Sequence, residues 1–220
     1  MRKHALTVLL FSLIILTAPA TAGVVFDNYP INGTMYAWTI DYGYSVSDSF
    51  TLNSGATVTE VNFGVWLLPG DSITGVDWSI GTVPFGSSVG SGTGASVSST
   101  LVGTIWDYYS VVSATFSFSD LNLATGTYYL TLQNAVVTDG DPAYWDINDA
   151  PGIDAWENSL GNVSASGACS EDTDGYASGT CASSFQILGT TAAVPEPATW
   201  TLLGSGILAA FALRRKAIGR

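Results

Sequence analysis

The chain has 220 residues, and its six Lys and Arg residues stand against 18 Asp and Glu residues, which gives a formal net charge of −12. All side chains that can carry a positive charge lie near the two ends: Arg2, Lys3, His4, Arg214, Arg215, Lys216 and Arg220. The long middle segment therefore lacks the Lys and Arg that neutralise phosphates and the imidazole that transition metals prefer. This composition excludes nucleic-acid binding and lysine-dependent phosphate loops as functions of the middle segment.

The N-terminal segment has the pattern of a secretory signal peptide. A positive stretch over residues 2–4 precedes an apolar stretch over residues 5–16, and Ala20 and Ala22 form a small-residue cleavage site before Gly23. We predict a signal peptide over residues 1–22, so the segment that follows is expected to be exported. A non-cleaved anchor helix is the alternative.

Residues 23–190 have the pattern of a β-protein. Apolar and polar residues alternate in TEVNFGVWLL (59–68), VVSATFSFSDLNL (111–123) and GTYYLTLQNAVV (126–137). Shorter segments such as MYAWTI, VSDSFTL, GTIWDYY and SSFQILG bring the prediction to about eight strands. Such alternation between Gly-, Pro- and Asp-rich turns is typical of half-buried antiparallel strands. We predict an all-β fold, a single antiparallel β-sandwich that is jelly-roll-like.

Two glycine-rich motifs have the spacing of catalytic or cofactor-binding loops. GSSVG (86–90) places Ser88 as a nucleophile, but a serine needs a His or Lys base and the middle segment has neither. GSGTGA (90–95) has dinucleotide-binding spacing, but it lies in a Gly/Ser/Thr tract for which we predict a flexible loop. We therefore predict that the chain is not an enzyme. The alternative is a glycoside hydrolase, for which two carboxylates suffice, with Glu157 paired with Asp146 or Asp141.

An acidic stretch, TDGDPAYWDINDAPGIDAWE (138–157), suggests a calcium site. Ca²⁺ takes six to eight oxygen ligands, and carboxylates at short spacing supply them. The predicted ligands are Asp139, Asp141, Asp146, Asn148 and Asp149, with Asp154 and Glu157 in the same stretch. The alternative is that these acids only keep loops solvated.

Aromatic residues in and near this stretch suggest carbohydrate binding. Sugars stack their apolar ring faces on aromatic side chains while carboxylates and amides take the hydroxyls. The predicted stacking residues are Trp145 and Trp156, and Trp66, Tyr108 and Tyr109 are expected on outer strand faces. The alternative is that these aromatic residues lie in the core and in turns.

Cys169 and Cys181 are the two cysteines of the chain. In an exported segment they are expected to form a disulfide, which would stabilise the fold by ~3 kcal/mol in the chain-entropy model. Two free thiols are the alternative.

The C-terminal end combines three features in a fixed order. Pro195-Glu196-Pro197 precedes an uncharged apolar run over residues 198–213, and Arg214, Arg215 and Lys216 follow. A helix over this run covers ~24 Å at ~1.5 Å per residue, against a hydrocarbon core of ~30 Å. We predict a linker over residues 191–197, a short transmembrane helix over residues 198–213 and a basic cytoplasmic tail over residues 214–220. A buried helix is the alternative.

This arrangement resembles the C-terminal end of the PEP-CTERM class of exported bacterial proteins. The resemblance implies that Pro195, Glu196, Pro197, Arg214 and Arg215 belong to a sorting signal processed by an exosortase, a membrane-embedded transpeptidase-like enzyme. It also implies a Gram-negative maker of exopolysaccharide and biofilm. The middle segment resembles a sandwich domain common in this class, in VSDSFTL, LTLQNAVV, DPAYWD and SFQILGT. That second resemblance implies a jelly-roll-like fold and no assigned activity.

We therefore expect an exported, exosortase-sorted protein of the cell envelope or extracellular matrix. Its expected role is structural or accessory and linked to exopolysaccharide or biofilm, and a calcium-assisted carbohydrate-binding module is the alternative. The expected partners are an exosortase, a polysaccharide and, at least transiently, the membrane.

Overall fold

The computed structural model describes residues 22–28, 30–31, 33, 36–148, 155–165 and 182–191, with the backbone alone for 162–165. The described residues form fourteen strands. They are β1 (Gly23–Asp27), β2 (Tyr36–Thr39), β3 (Tyr44–Leu52), β4 (Ala56–Leu67), β5 (Ile73–Gly81), β6 (Gly90–Ser96), β7 (Ser98–Ile105), β8 (Tyr109–Leu123), β9 (Gly126–Val137), β10 (Tyr144–Asn148), β11 (Trp156–Ser159), β12 (Asn162–Ala165), β13 (Ala182–Ser183) and β14 (Phe185–Thr191).

Several predicted features lie outside the described residues. They are residues 1–21 of the signal peptide, Asp149, Asp154, Cys169, Cys181, Pro195, Glu196, Pro197, residues 198–213, Arg214 and Arg215. In the part of the chain that the structure describes, no helix has the length and apolar character needed to cross a membrane.

The strands form two antiparallel sheets, consistent with the predicted sandwich. Sheet A contains β1, β2, β4, β7, β8, β10, β13 and β14, and sheet B runs in the order β12-β11-β3-β9-β5-β6. Strand β4 is central in sheet A, because it pairs with β8 along its length and with β14 and β10 on its other side. Strand β9 lies between β3 and β5 in sheet B. The jelly-roll connectivity stays a prediction.

The core lies between the sheets and follows the predicted alternation. Val61, Phe63 and Val65 of β4 are fully buried, whereas Glu60 and Asn62 between them are half-buried. The predicted inward sets of β5, β8 and β9 are also buried, except that Phe118 is only partly covered: Val76, Trp78, Ile80, Val112, Ala114, Phe116, Tyr128, Leu130 and Leu132. Ring contacts join the two sheets, with centroid distances of 6.3 Å for Phe50–Phe185 and 6.1 Å for Trp78–Phe116.

Two local predictions are wrong. GSGTGA, predicted as a flexible loop, lies in strand β6 at the edge of sheet B, where Gly90 pairs with Ile80. Backbone pairing to β5 supplies the hydrogen bonds that the small side chains cannot. GTIWDYY, predicted as one strand, is instead the end of β7, a turn and the start of β8.

Five connections gather at one end of the sandwich, which we call the loop end. They are residues 40–43, 68–72, 106–108, 138–143 and 160–161. The strand pairing fixes this placement. Leu67 pairs with Ser110, Tyr144 with Thr39, and Ile73 with Val137. Ser159 pairs with Tyr44, so the turn between β11 and β12 lies at the same end.

Candidate ligand-binding site

The loop end carries a group of five packed rings, which we call the aromatic cluster: Trp66, Trp106, Tyr108, Tyr109 and Tyr144. Edge-to-face contacts dominate it. The ring centroids of Trp66 and Trp106 are 5.4 Å apart, those of Tyr108 and Tyr109 4.8 Å, and those of Tyr109 and Tyr144 5.8 Å. The cluster lies apart from the main core, on a second apolar group that includes Ala37 and Val111.

The turn between β7 and β8 holds two of these rings in solvent. Trp106 and Asp107 both have left-handed backbone conformations, with φ of 52° and 51°, and the Tyr108 N–H donates to Ile105 O at 3.1 Å. Left-handed positions in hairpin turns are normally occupied by glycine and asparagine. Trp106 is 61% exposed and Tyr108 is 54% exposed. A large exposed ring in a left-handed backbone position, as at Trp106, makes this turn a candidate for function.

Trp66 is the buried ring of the aromatic cluster, and a hydrogen bond to the interior of sheet A holds its indole in place. Its Nε1 donates to Oδ1 of Asp146 at 2.6 Å, and Ser184 Oγ donates to Oδ2 of Asp146 at 2.8 Å. Gly64 makes room for this carboxylate, since a Cβ there would lie 2.7 Å from Asp146 Cβ. The indole therefore has one orientation in the cluster.

Tyr144 connects the cluster to a neighbouring carboxyl group. Burial raises the pKa of Tyr144 to about 12, with further contributions from Tyr109, through its charge and a hydrogen bond, and from the charge of Asp41. The Tyr144 hydroxyl thus stays protonated at neutral pH and can act as a donor or an acceptor.

A cleft of about 320 Å³, which we call the acidic cleft, also lies at the loop end. Asp41, Tyr42, Gly140, Asp141 and residues 134–137 line it. The Tyr42 hydroxyl donates to Gly140 O across the cleft. The site therefore combines an exposed apolar surface with carboxylates.

Asp41 is the buried carboxyl of the acidic cleft and is 5% exposed. Its Oδ2 accepts from the Ala143 N–H at 2.9 Å, while its Oδ1 has no hydrogen-bond partner among the described residues. Burial raises the pKa of Asp41, and the N–H groups of Ala143 and of Asp41 itself oppose that shift.

Further carboxylates surround the loop end. Burial raises the pKa of Asp71, and the negative charges of Asp139 and Asp141 raise it further. The Thr138 side chain opposes the shift by a hydrogen bond. The loop end is therefore a region of negative charge.

The structure does not bring the predicted calcium ligands together. Asp139 is exposed and Asp141 is half-buried in the loop before β10, whereas Asp146 and Asn148 are fully buried within β10. Asn148 Nδ2 donates to Asn28 O and to Ser184 Oγ. Among the described residues no three His, Cys, Asp or Glu side chains form a group that could hold a metal. The sequence spacing suggested that these ligands share one loop, but β10 begins at Tyr144 and separates Asp139 and Asp141 from Asp146 and Asn148. Calcium binding stays a prediction.

The two predicted stacking tryptophans have other environments. Trp145 is fully buried in the core, packs against Phe63 and Phe185, and donates from Nε1 to Ser184 O at 3.1 Å. No face of its ring is open to a sugar, which corrects that prediction. Trp156 is half-buried in β11.

The alternative catalytic residues are also separated. Glu157 lies half-buried in β11 of sheet B, and burial raises its pKa. Asp146 lies buried in β10 of sheet A and Asp141 in the loop before it.

The sequence reasoning missed Trp106, Tyr144 and Asp41. It did expect Trp66, Tyr108 and Tyr109 on outer strand faces. Trp66 and Tyr109 lie on strands outside the main core, although Trp66 is covered by its neighbours, whereas Tyr108 lies in the turn between β7 and β8. The run IWDYY contained a signal, because an Asp between aromatic residues is unusual inside a strand and favours a turn.

The described residues thus form an all-β fold of two antiparallel sheets, with an aromatic and acidic candidate site at one end. Residues 193–216 match the family described as the PEP-CTERM protein-sorting motif, so the chain carries this motif. The motif supports an exported protein that an exosortase sorts at the membrane. No curated protein gives a significant match to the chain.

Proposed function

We propose that this protein is sorted by an exosortase to the cell envelope or extracellular matrix and holds polysaccharide there through the aromatic cluster. The role is an accessory one, binding without catalysis. The sorting half of the proposal rests on the motif at residues 193–216. The binding half rests on the exposed rings of the loop end.

One observation carries the binding half: Trp106 and Tyr108 are more than half exposed at the tip of a strained turn. An ordinary hairpin turn has small residues such as Asn and Gly at left-handed positions, and large aromatic side chains are usually buried in the core. Rings exposed to water on a turn suit sugar faces, which are apolar but edged by hydroxyls. The hydroxyls of Tyr108, Tyr109 and Tyr144 can hydrogen-bond those edges.

Binding of polysaccharides from the producing strain tests this half. The purified full-length chain should bind at least one neutral or amino polysaccharide in affinity electrophoresis, and Trp106→Ala with Tyr108→Ala should abolish binding. The matched control is Tyr36→Ala, since Tyr36 is 46% exposed on β2, outside the cluster. Equal retardation of the double variant and the wild type would refute a role for the cluster.

Replacement of the sorting motif tests the other half. Changing Pro195, Glu196 and Pro197 to alanine should leave full-length protein in the inner membrane, because the exosortase would no longer process it. Cell fractionation with immunoblotting measures this. Unchanged processing and location of the variant would exclude sorting through this motif.

A further inference from the structure

The acidic cleft and the aromatic cluster both lie at the loop end, and one backbone contact joins them. Ala143, whose N–H donates to Asp41 Oδ2, directly precedes Tyr144 of the cluster. The charge of Asp41 also contributes to the raised pKa of Tyr144. Asp41 therefore lies near the Tyr144 side of the aromatic cluster.

Asp41 has one buried carboxylate oxygen that is unsatisfied among the described residues. The side chain is 5% exposed and lines the cleft, and its Oδ1 has no hydrogen-bond partner among the described residues. Leaving a buried polar atom unsatisfied costs about 1–3 kcal/mol, and more for a charged group. A donor from a ligand would remove that penalty.

The negative charge around the cleft favours a positively charged ligand. Asp141 lines the same cleft, and Asp71 lies near enough to both Asp139 and Asp141 for their negative charges to raise its pKa. No Lys, Arg or His occurs between residues 23 and 213. A uronic-acid polymer would be repelled, whereas a positive group would be attracted.

A protonated amine fits this site better than a metal ion does. Ca²⁺ needs six to eight oxygen ligands, and no three acidic, Cys or His side chains among the described residues are close enough to hold a metal. An ammonium group has three N–H donors and is satisfied by a few acceptors. Asp41 and Asp141 provide charged acceptors, and charge-assisted hydrogen bonds are the strong ones.

We infer that the acidic cleft binds a protonated amine of the polysaccharide, so that the ligand is a polymer of amino sugars with free amino groups. This inference rests on the proposed function, because the aromatic cluster must hold the same sugar chain. It adds the identity of the ligand class and a role for Asp41 and Asp141.

Two oligosaccharides with the same ring skeleton separate the inference from the proposed function. The full-length chain is titrated calorimetrically with a glucosamine hexamer and with the fully N-acetylated hexamer, near neutral pH and at about 0.15 M salt to screen distant charges. The wild type should bind the free-amine hexamer about tenfold or more tightly than the acetylated one, a difference of ~1.4 kcal/mol. Asp41→Asn and Asp141→Asn should each reduce this preference and leave acetylated binding unchanged.

Asp120→Asn is the matched control, because it removes the same charge from an exposed position on β8, toward the end opposite the aromatic turn. Asp141 is half-buried, so its variant tests the inference even if Asp41→Asn does not fold. Equal binding of both hexamers by the wild type, or an unchanged preference in Asp141→Asn, would overturn the amine site and leave the proposed function standing. If the wild type bound neither hexamer and no other polysaccharide, both the amine site and the proposed function would be overturned.

Discussion

Trp66 and Asp146 form a buried hydrogen bond of 2.6 Å between the indole Nε1 and the carboxylate Oδ1. Trp66 is the innermost ring of the aromatic cluster, and Asp146 also accepts from Ser184 at the junction of β13 and β14. One carboxylate therefore connects the candidate binding surface to the interior of sheet A. The orientation of Trp66 depends on it.

Asp146→Ala should destabilise the fold. The Trp66 N–H would lose its acceptor, and an unsatisfied buried donor costs about 1–3 kcal/mol, so we expect a loss of that size in the free energy of unfolding. Urea denaturation of the full-length chain measures it. Asp146→Asn retains an amide oxygen as acceptor and should lose less stability. A loss below about 0.5 kcal/mol for Asp146→Ala, which is the range of ordinary surface substitutions, would contradict the importance of this bond.

Gly64→Ala should disturb the same bond from the other side. The new Cβ would lie 2.7 Å from Asp146 Cβ and 3.0 Å from Ile31 Cγ2, so the carboxylate must move. Overpacking of this kind typically costs about 1–3 kcal/mol, and the same denaturation experiment detects it.

Gly103→Ala is the matched control for this change, since a Cβ at Gly103 in β7 has open space around it. It should leave stability unchanged or slightly higher. If both glycine variants behave alike, the close approach of Gly64 to Asp146 has no energetic consequence.

Trp106→Asn with Asp107→Gly should stabilise the fold and abolish polysaccharide binding. Both positions have left-handed φ values, a conformation that Asn and Gly adopt more readily than other residues do. The left-handed conformation costs roughly 1–2 kcal/mol for a residue such as Trp106, so the melting temperature should rise. A fall in melting temperature would show that the rings stabilise the turn by packing, and retained binding would argue against Trp106 as a ligand contact.

The alternation of apolar residues was sufficient to predict the core but not the site. Val61, Phe63 and Val65 are buried as their period of two predicts, because one face of each strand meets the opposite sheet. Trp145 follows the same rule, and for that reason it is a core residue rather than a sugar contact. Its position in an acidic stretch suggested a surface loop, but β10 begins at Tyr144.

The candidate site depends on long-range placement that local patterns do not contain. Asp41 and Ala143 are distant in sequence and become hydrogen-bonded only because β2 and β10 pair. The left-handed turn at Trp106 is equally hidden, since tryptophan has no preference for that backbone conformation. The tail showed the opposite behaviour, because its motif is contiguous and could be identified from residues 193–216 alone.

Asp41→Asn should change how stability depends on pH. The pKa of Asp41 in the folded state is above its usual value of 3.8, chiefly because of burial, so the folded state holds this proton more tightly than the unfolded state does. The ionised carboxyl therefore lowers the free energy of unfolding at neutral pH. That penalty decreases as the pH falls through the folded-state pKa, and it is absent below the unfolded-state pKa. Relative to Asp41→Asn, the wild type should thus gain stability on acidification.

Denaturation of both proteins at neutral pH and near pH 3.8 measures the difference, and Asp120→Asn corrects for the change in net charge. The contrary result is a difference in free energy of unfolding between wild type and Asp41→Asn that stays constant, or grows in favour of the variant, at low pH. It would show that the fold does not penalise the charge of Asp41.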